Sequence, residues 1–118
     1  MSILRIRPGP RMSQAVVHGD TVYLAGQVGE PGQTVAEQTR TVLGHIDDLL
    51  AAVGSGKSHI LMATVWLADI GDFGVMNEVW EAWVDPAHPP ARATGEVKLA
   101  GPEYLIEIIV VAAVPKTA

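Results

Sequence analysis

The sequence predicts a two-layer α+β domain, with its helices on one face of a sheet and its elements in the order βββαβαββ. Three observations carry that expectation. Two stretches, one within Val35–Val53 and one within Phe73–Trp83, repeat apolar residues at helical spacing. Short apolar runs flank them, divided by glycine- and proline-rich turns. The last third of the chain holds two such runs around Ala100-Gly101-Pro102-Glu103.

Ile3–Arg7 reads as a short strand closed by Pro8-Gly9-Pro10. Gln14–His18 and Thr21–Ala25 flank Gly19-Asp20, a tight hairpin turn, and Gly29–Gln33 is a loop. Thr34 and Glu37 then match a capping box, whose side chains satisfy orphan N–H groups at a helix start. Val35, Thr39, Val42, Leu43, Ile46, Leu49, Leu50 and Val53 form the buried stripe of that helix. Arg40, Asp47 and Asp48 lie opposite, and Gly54 stops it. Leu61–Asp69 reads as a buried strand. Asp72 is the expected N-cap of the second helix, with Phe73, Met76, Val79, Trp80 and Trp83 on its stripe. Asp85-Pro86 ends it, because a residue before proline avoids the helical region. Ala91–Leu99 and Tyr104–Val114 are expected to pair as an antiparallel hairpin.

At 118 residues the chain is sized for one domain, 1–118. Hydrophobic residues make up 48% and charged residues 18%, which excludes intrinsic disorder. There is no cysteine, so no disulfide, thiol nucleophile or thiolate metal site exists, and a cytoplasmic location is expected. The net charge of −5 comes without a basic stripe, so nucleic acid is not an expected partner. Met1–Arg11 lacks the apolar core of a signal peptide. The longest strictly apolar run, Ile108–Val114, is far too short to span a membrane, and no membrane partner is expected. A mean hydropathy of +0.25 leaves apolar surface to spare in so small a chain, which points to oligomerisation.

Ala51–Ser58 (AAVGSGKS) matches the phosphate-loop pattern once alanine is allowed for the first glycine. That chemistry needs a strand before the loop and a helix after it, so that helix N–H groups face the phosphate. Here the order is reversed. The segment reads instead as a glycine C-cap with Lys57 complementing the helix dipole. His18, His45, His59 and His88 show no metal-ligand spacing and read as ordinary histidines. No G-x-S-x-G elbow or Ser-His-Asp arrangement is present, and Trp66, Trp80 and Trp83 read as packing residues.

Two residues stand out. Glu107 interrupts Leu105–Val111, a run otherwise wholly apolar. A carboxylate in a buried strand is costly, and desolvation lifts its pKa toward the range useful for proton transfer. The alternative is a strand whose Glu107 side faces solvent or a structural ion pair. Arg92, in Pro89-Pro90-Ala91-Arg92-Ala93-Thr94, is the only arginine in the second half of the chain. Its guanidinium is a natural bidentate clamp for a carboxylate, the alternative being a surface ion pair. If the expected hairpin pairs positions summing to about 203, Arg92, Thr94 and Glu96 share a face with Leu105, Glu107 and Ile109. A ligand could then bridge Arg92 and Glu107, which are too far apart to pair directly.

These residues resemble the Rid (YjgF-type) proteins, the reactive intermediate deaminases, nearly end to end. The resemblance rests on Tyr23-Leu24-Ala25-Gly26-Gln27, Glu37-Gln38-Thr39, Asp72-Phe73, Met76-Asn77, Pro90-Ala91-Arg92-Ala93-Thr94 and Glu107-Ile108. The Met-Asn-x-x-Trp-x-x-Trp helix with Ala-Arg-x-Thr is similar to the YoaB-like branch. The resemblance implies a chorismate-mutase-like fold with a mixed, mainly antiparallel sheet. It implies a homotrimer in which the sheets form a central barrel, the helices lie outside and three sites sit at subunit interfaces. It also implies a 2-iminobutanoate/2-iminopropanoate deaminase-like hydrolase, which turns imines or enamines derived from amino acids into 2-oxo acids and ammonia. By the same resemblance Arg92 holds the substrate carboxylate, the Thr94 backbone N–H assists, and Glu107 positions or activates the water. Gly26, Asn77 and Met12 belong to the substrate site. Thr94 stands where family deaminases usually carry Cys, Met12 where they often carry a pocket Tyr, and Ala25 where Ser is common. These departures bear on pocket shape and substrate preference.

The expected function is a hydrolase of small 2-imino or 2-enamino acids that uses neither metal nor cofactor. Arg92 orients the C=N bond, and Glu107 moves the proton between the attacking water and the departing ammonia. The alternative is a non-catalytic trimer that binds small carboxylates or a protein partner. Glu107 separates the two, because a nearby carboxylate hinders anion binding.

Overall fold

The computed structural model of the chain describes residues 2–116. It opens with a meander of β1 (Ile3–Pro8), β2 (Ser13–His18) and β3 (Thr21–Leu24). Gly19 closes the β2–β3 turn at φ 63°, a backbone region that glycine enters without a Cβ clash. A short β4 (Gln27–Val28), absent from the sequence-based expectation, follows. Both β3 and β4 pair with the last strand, β7 (Ile106–Ala113): Tyr23 faces Val111 and Gln27 faces Ile108. The path from Tyr23 to Gln27 is one residue longer than the path from Ile108 to Val111, so the chain bulges at Ala25-Gly26.

Helix α1 (Val35–Ala52) starts at the expected capping box. Thr34 Oγ1 accepts from the Glu37 N–H at 3.2 Å, and Glu37 Oε1 accepts from the Thr34 N–H at 2.9 Å. Its stripe from Thr39 to Leu50 is buried, and Gly54 follows its end at φ 76°. Helix α2 (Phe73–Trp83) buries Met76 and Trp80. Asp72 occupies its N-cap position, but the side chain makes no capping bond. Asp69 takes that work one turn earlier: its Oδ1 accepts from the Gly71 N–H at 2.8 Å and caps a short 3-10 turn, Ile70–Asp72.

The strand order is β1-β2-β3-β7-β5-β6, with β5 at Ile60–Leu67 and β6 at Ala91–Glu96. Among the described residues only β5 and β6 run parallel. The sheet is therefore mixed and mainly antiparallel, with α1 over β7, β3 and β4 and α2 beside α1. This is the expected two-layer α+β architecture.

The expected hairpin of 91–99 with 104–114 is not formed, because β5 lies between β6 and β7. The reason is composition. β5 is mostly apolar toward both faces and takes a central place, whereas β6 carries Arg92, Thr94 and Glu96 and takes the edge. Val97–Leu105 passes the end of β5: the Val97 N–H donates to Leu67 O at 2.9 Å, and the Ala68 N–H to Leu105 O at 3.0 Å. Fully buried Gln38 pins this loop to α1, accepting from the Leu105 N–H at 2.9 Å and donating to Glu103 O at 3.0 Å. The faces change accordingly. Arg92, Thr94 and Glu96 align through Ala63, Val65 and Leu67 with Val110, Ile108 and Ile106, not with Glu107.

The main core fills the space between this face and the helices, around Val22, Ile46, Leu50, Val65, Ile108 and Val110. Among the described residues no helix covers the other face. Met62, Trp66, Ile109 and Val111 are only half-buried there, and Tyr23 is 48% exposed.

Candidate functional site

The edge strand β6 extends the helix-facing rows of the sheet, so Arg92 reaches toward α2. Its Cζ lies 5.3 Å from the Trp80 ring centroid and 5.9 Å from that of Phe73. Its Nη1 lies 3.8 Å from Met76 Sδ. Among the described residues no carboxylate pairs with it, so the surface-ion-pair reading fails. Burial pulls its pKa below the usual arginine value, and the more distant Glu81 pushes the other way. Such a group stays charged at neutral pH. A half-buried guanidinium without a counter-anion is an arrangement made for anions. Thr94 stands two residues on, on the same face, with its Oγ1 buried and unpartnered. Asn77 adjoins Met76 on α2 and is half-buried.

Glu107 points to the opposite, helix-free face, between Val28 and Trp66. It makes no ion pair or side-chain hydrogen bond among the described residues, and burial raises its pKa above the usual carboxylate value. The structural-ion-pair alternative therefore does not hold, while the side of the strand that carries Glu107 is the open one in this chain, as the solvent-facing alternative has it. Its neighbour is the β3–β4 bulge. A Cβ on Gly26 would overlap the Glu107 carboxyl group, so glycine is required there by close approach. The bulge is held from its other side. Gln27 Nε2 donates to Ala25 O at 3.0 Å and to Gln14 Oε1 at 3.1 Å, and the Ala25 N–H donates to Gln14 O at 2.9 Å. Met12, 49% exposed, lies just before Gln14 at the start of β2.

The structure thus gathers the expected residues, apart from exposed Met12, into two groups. Gly26 and Glu107 form one. Arg92 and Thr94, beside the helix that carries Asn77, form the other. They occupy opposite faces with β5 between their strands, so no ligand bridges Arg92 and Glu107 within one chain as the hairpin expectation had it. Trp80 and Phe73, which the sequence presented as packing residues, are the partners of Arg92. Their only sequence signal is that Phe73, Met76 and Trp80 recur on one helix face toward β6.

The remaining motifs are structural. At the phosphate-loop-like segment Ser55 Oγ donates to Ala113 O at 2.7 Å, and Lys57 Nζ lies 5.4 Å from the Trp83 ring centroid. His88 Nδ1 lies 3.0 Å from Asp85 Oδ2 on the surface. Among the described residues no three histidine or carboxylate side chains converge on a metal position. No described helix is long and apolar enough to cross a membrane. A groove of about 480 Å³ between α1 and α2, lined by Gly44, Lys57 and Trp83 among others, contains none of the expected site residues.

Residues 3–114 match the family model described as endoribonuclease L-PSP. The chain is 44% identical over 114 residues to the RutC family protein YoaB of Escherichia coli K12, an alignment spanning 97% of this chain and 100% of that one. It is 36% identical over 107 residues to a Rattus norvegicus protein named 2-iminobutanoate/2-iminopropanoate deaminase, spanning 85% of this chain and 77% of that one. A YjgF-family crystal structure from Neisseria meningitidis matches it with a TM-score of 0.97 at 44% identity, over 99% of this chain and 98% of that one. Sheet order, helix placement and nearly full-length sequence identity agree: the chain belongs to the YjgF family, to which the RutC and L-PSP names also refer.

Proposed function

We propose that this protein hydrolyses reactive 2-imino or 2-enamino acids to 2-oxo acids and ammonia, as a homotrimer in the cytoplasm. One observation carries the reading: an unpaired, half-buried carboxylate and an unpaired, half-buried guanidinium stand on opposite faces of one sheet. Each is costly alone. A second copy that lays its β6 edge against the helix-free face brings Arg92 of one subunit to Glu107 of the next. The apolar side chains left open on that face support such an assembly. The name of the rat relative supports the chemistry.

Arg92 takes the substrate carboxylate through two parallel N–H bonds and fixes the C=N carbon, with the Thr94 N–H, Asn77, Gly26 and Met12 around it. Water adds to that carbon. Glu107 accepts a proton from the water and passes it to the nitrogen, giving a carbinolamine. The C–N bond then breaks as Glu107 carries the hydroxyl proton to the departing ammonia, leaving the 2-oxo acid. No step needs a metal or a cofactor. The purely binding alternative leaves Glu107 without a use, since its charge opposes an anion. Ribonuclease chemistry, which the family description names, finds no basic stripe on a chain of net charge −5.

The test is imine decay. Imines are generated in situ from several amino acids by an amino-acid oxidase and followed with and without the protein. Faster decay in its presence is expected, and identical decay for every amino acid overturns the reading.

A further inference from the structure

We propose that Trp80, with Phe73 beside it, is the positioning residue for Arg92: the two rings hold the guanidinium without taking up its N–H groups, so that all but the one donated to Met76 stay open to a substrate carboxylate. The inference rests on the carboxylate reading of Arg92 given above.

An arginine side chain is long and loses much rotamer freedom when fixed. Proteins commonly fix it with a carboxylate, but a protein carboxylate takes the same N–H fork that the substrate needs. Aromatic rings attract the cation and consume no N–H. Both ring centroids lie within the 6 Å over which that attraction acts, at 5.3 Å for Trp80 and 5.9 Å for Phe73. The thioether of Met76 completes the wall and accepts one N–H bond from Arg92 Nη1 at 3.8 Å.

Trp80 is itself fixed. It is 7% exposed and packs on Trp83 with ring centroids 5.5 Å apart. Trp83 in turn donates through Nε1 to Asp47 Oδ2 at 2.9 Å, which ties α2 to α1. A continuous chain of contacts thus runs from α1 through Trp83 and Trp80 to the guanidinium. The arrangement acts on carboxylate binding, before any proton moves. Its loss therefore raises KM and leaves kcat near its starting value.

The experiment measures pyruvate binding by calorimetry and imine hydrolysis by steady-state kinetics in the wild type, Trp80→Leu, Trp80→Phe and Phe73→Leu. Trp80→Leu is expected to weaken pyruvate binding and raise KM about tenfold, with kcat within about twofold. Trp80→Phe keeps a ring face and is expected to recover most of that loss. Phe73 is 42% exposed, so Phe73→Leu leaves the core intact and is expected to cost about threefold. It decides the matter if Trp80→Leu does not fold. The Arg92 Nε–Hε resonance is expected to carry a ring-current shift that disappears in Trp80→Leu and returns in Trp80→Phe. Wild-type affinity in folded Trp80→Leu, or in Phe73→Leu if the former does not fold, overturns the inference alone. So does a Trp80→Phe protein as weak as Trp80→Leu. A wild type that binds no pyruvate overturns the carboxylate reading as well.

Discussion

Glu107 carries its charge at a cost to the fold. Its pKa in the folded chain lies above the ordinary value of 4.5, through burial. Between those two values the folded chain keeps a proton that the unfolded chain has lost. Stability therefore falls as pH rises through that window and stays lower above it. Glu107→Gln removes the titration. Urea unfolding across pH is expected to show the variant at least as stable as wild type, with its advantage growing as pH rises from about 4.5 and then levelling off. Deamination is expected to fall about 10²–10⁴-fold, the usual share of acid–base catalysis. Full imine hydrolysis by the well-folded variant would overturn the mechanism. At the other group, Arg92→Ala is expected to weaken pyruvate-like anions by about 2–4 kcal/mol, and Arg92→Lys not to restore them, since an ammonium lacks the planar fork. Calorimetry measures both, and unchanged affinity in both variants returns Arg92 to the surface. Glu107 and Arg92 were legible in the sequence because each breaks the pattern around it. The contact of Trp80 with Arg92 was not, because a tryptophan at helical spacing reads the same under a guanidinium as in a core.

Elements were legible where their signals are local. The capping box, the Gly19-Asp20 turn and the stripe of α1 all depend on residues within a turn or two of each other. Strand neighbours are not local. Ala91–Leu99 and Tyr104–Val114 had a hairpin's spacing and a glycine-proline turn between them, yet β5 takes the position beside β7. The clue lay in comparing strands: β5 is apolar toward both faces and β6 is not. Gln38 holds the loop that this order requires, and its amide is invisible to a periodicity argument that expects apolar residues inside. Gln38→Leu keeps the helix but strips the bonds to the Leu105 N–H, Glu103 O and Gln33 O. Its expected cost is about 2–3 kcal/mol, from the three backbone groups that lose their partner. Chemical denaturation reads that cost. Faster amide exchange at Leu105 is expected to accompany it, and a variant with unchanged stability and exchange shows that the loop is held by other contacts.

At the scale of the molecule, the separation of the two groups and the open apolar face call for one explanation. A sheet covered by helices on one side only exposes polar side chains on the other when it works alone. Here Met62, Trp66, Ile109 and Val111 lie half-buried on the face that carries Glu107, and Tyr23 is 48% exposed. Light scattering at micromolar concentration is expected to give three times the 12.5 kDa chain mass, and a monomer mass sinks the assembly. Size alone does not show that each site is shared, and complementation does. In the proposed trimer, Arg92→Ala and Glu107→Gln are each expected to inactivate every site of their own assembly. Co-expressed in equal amounts, they form mixed trimers in which a subunit with an intact Arg92 meets a neighbour with an intact Glu107. In a ring with head-to-tail contacts each occurs with even odds, so about a quarter of the sites, and about a quarter of wild-type activity, are expected to return. If each site were built within one chain, no mixture of the two variants would recover any activity, because no chain would carry both groups.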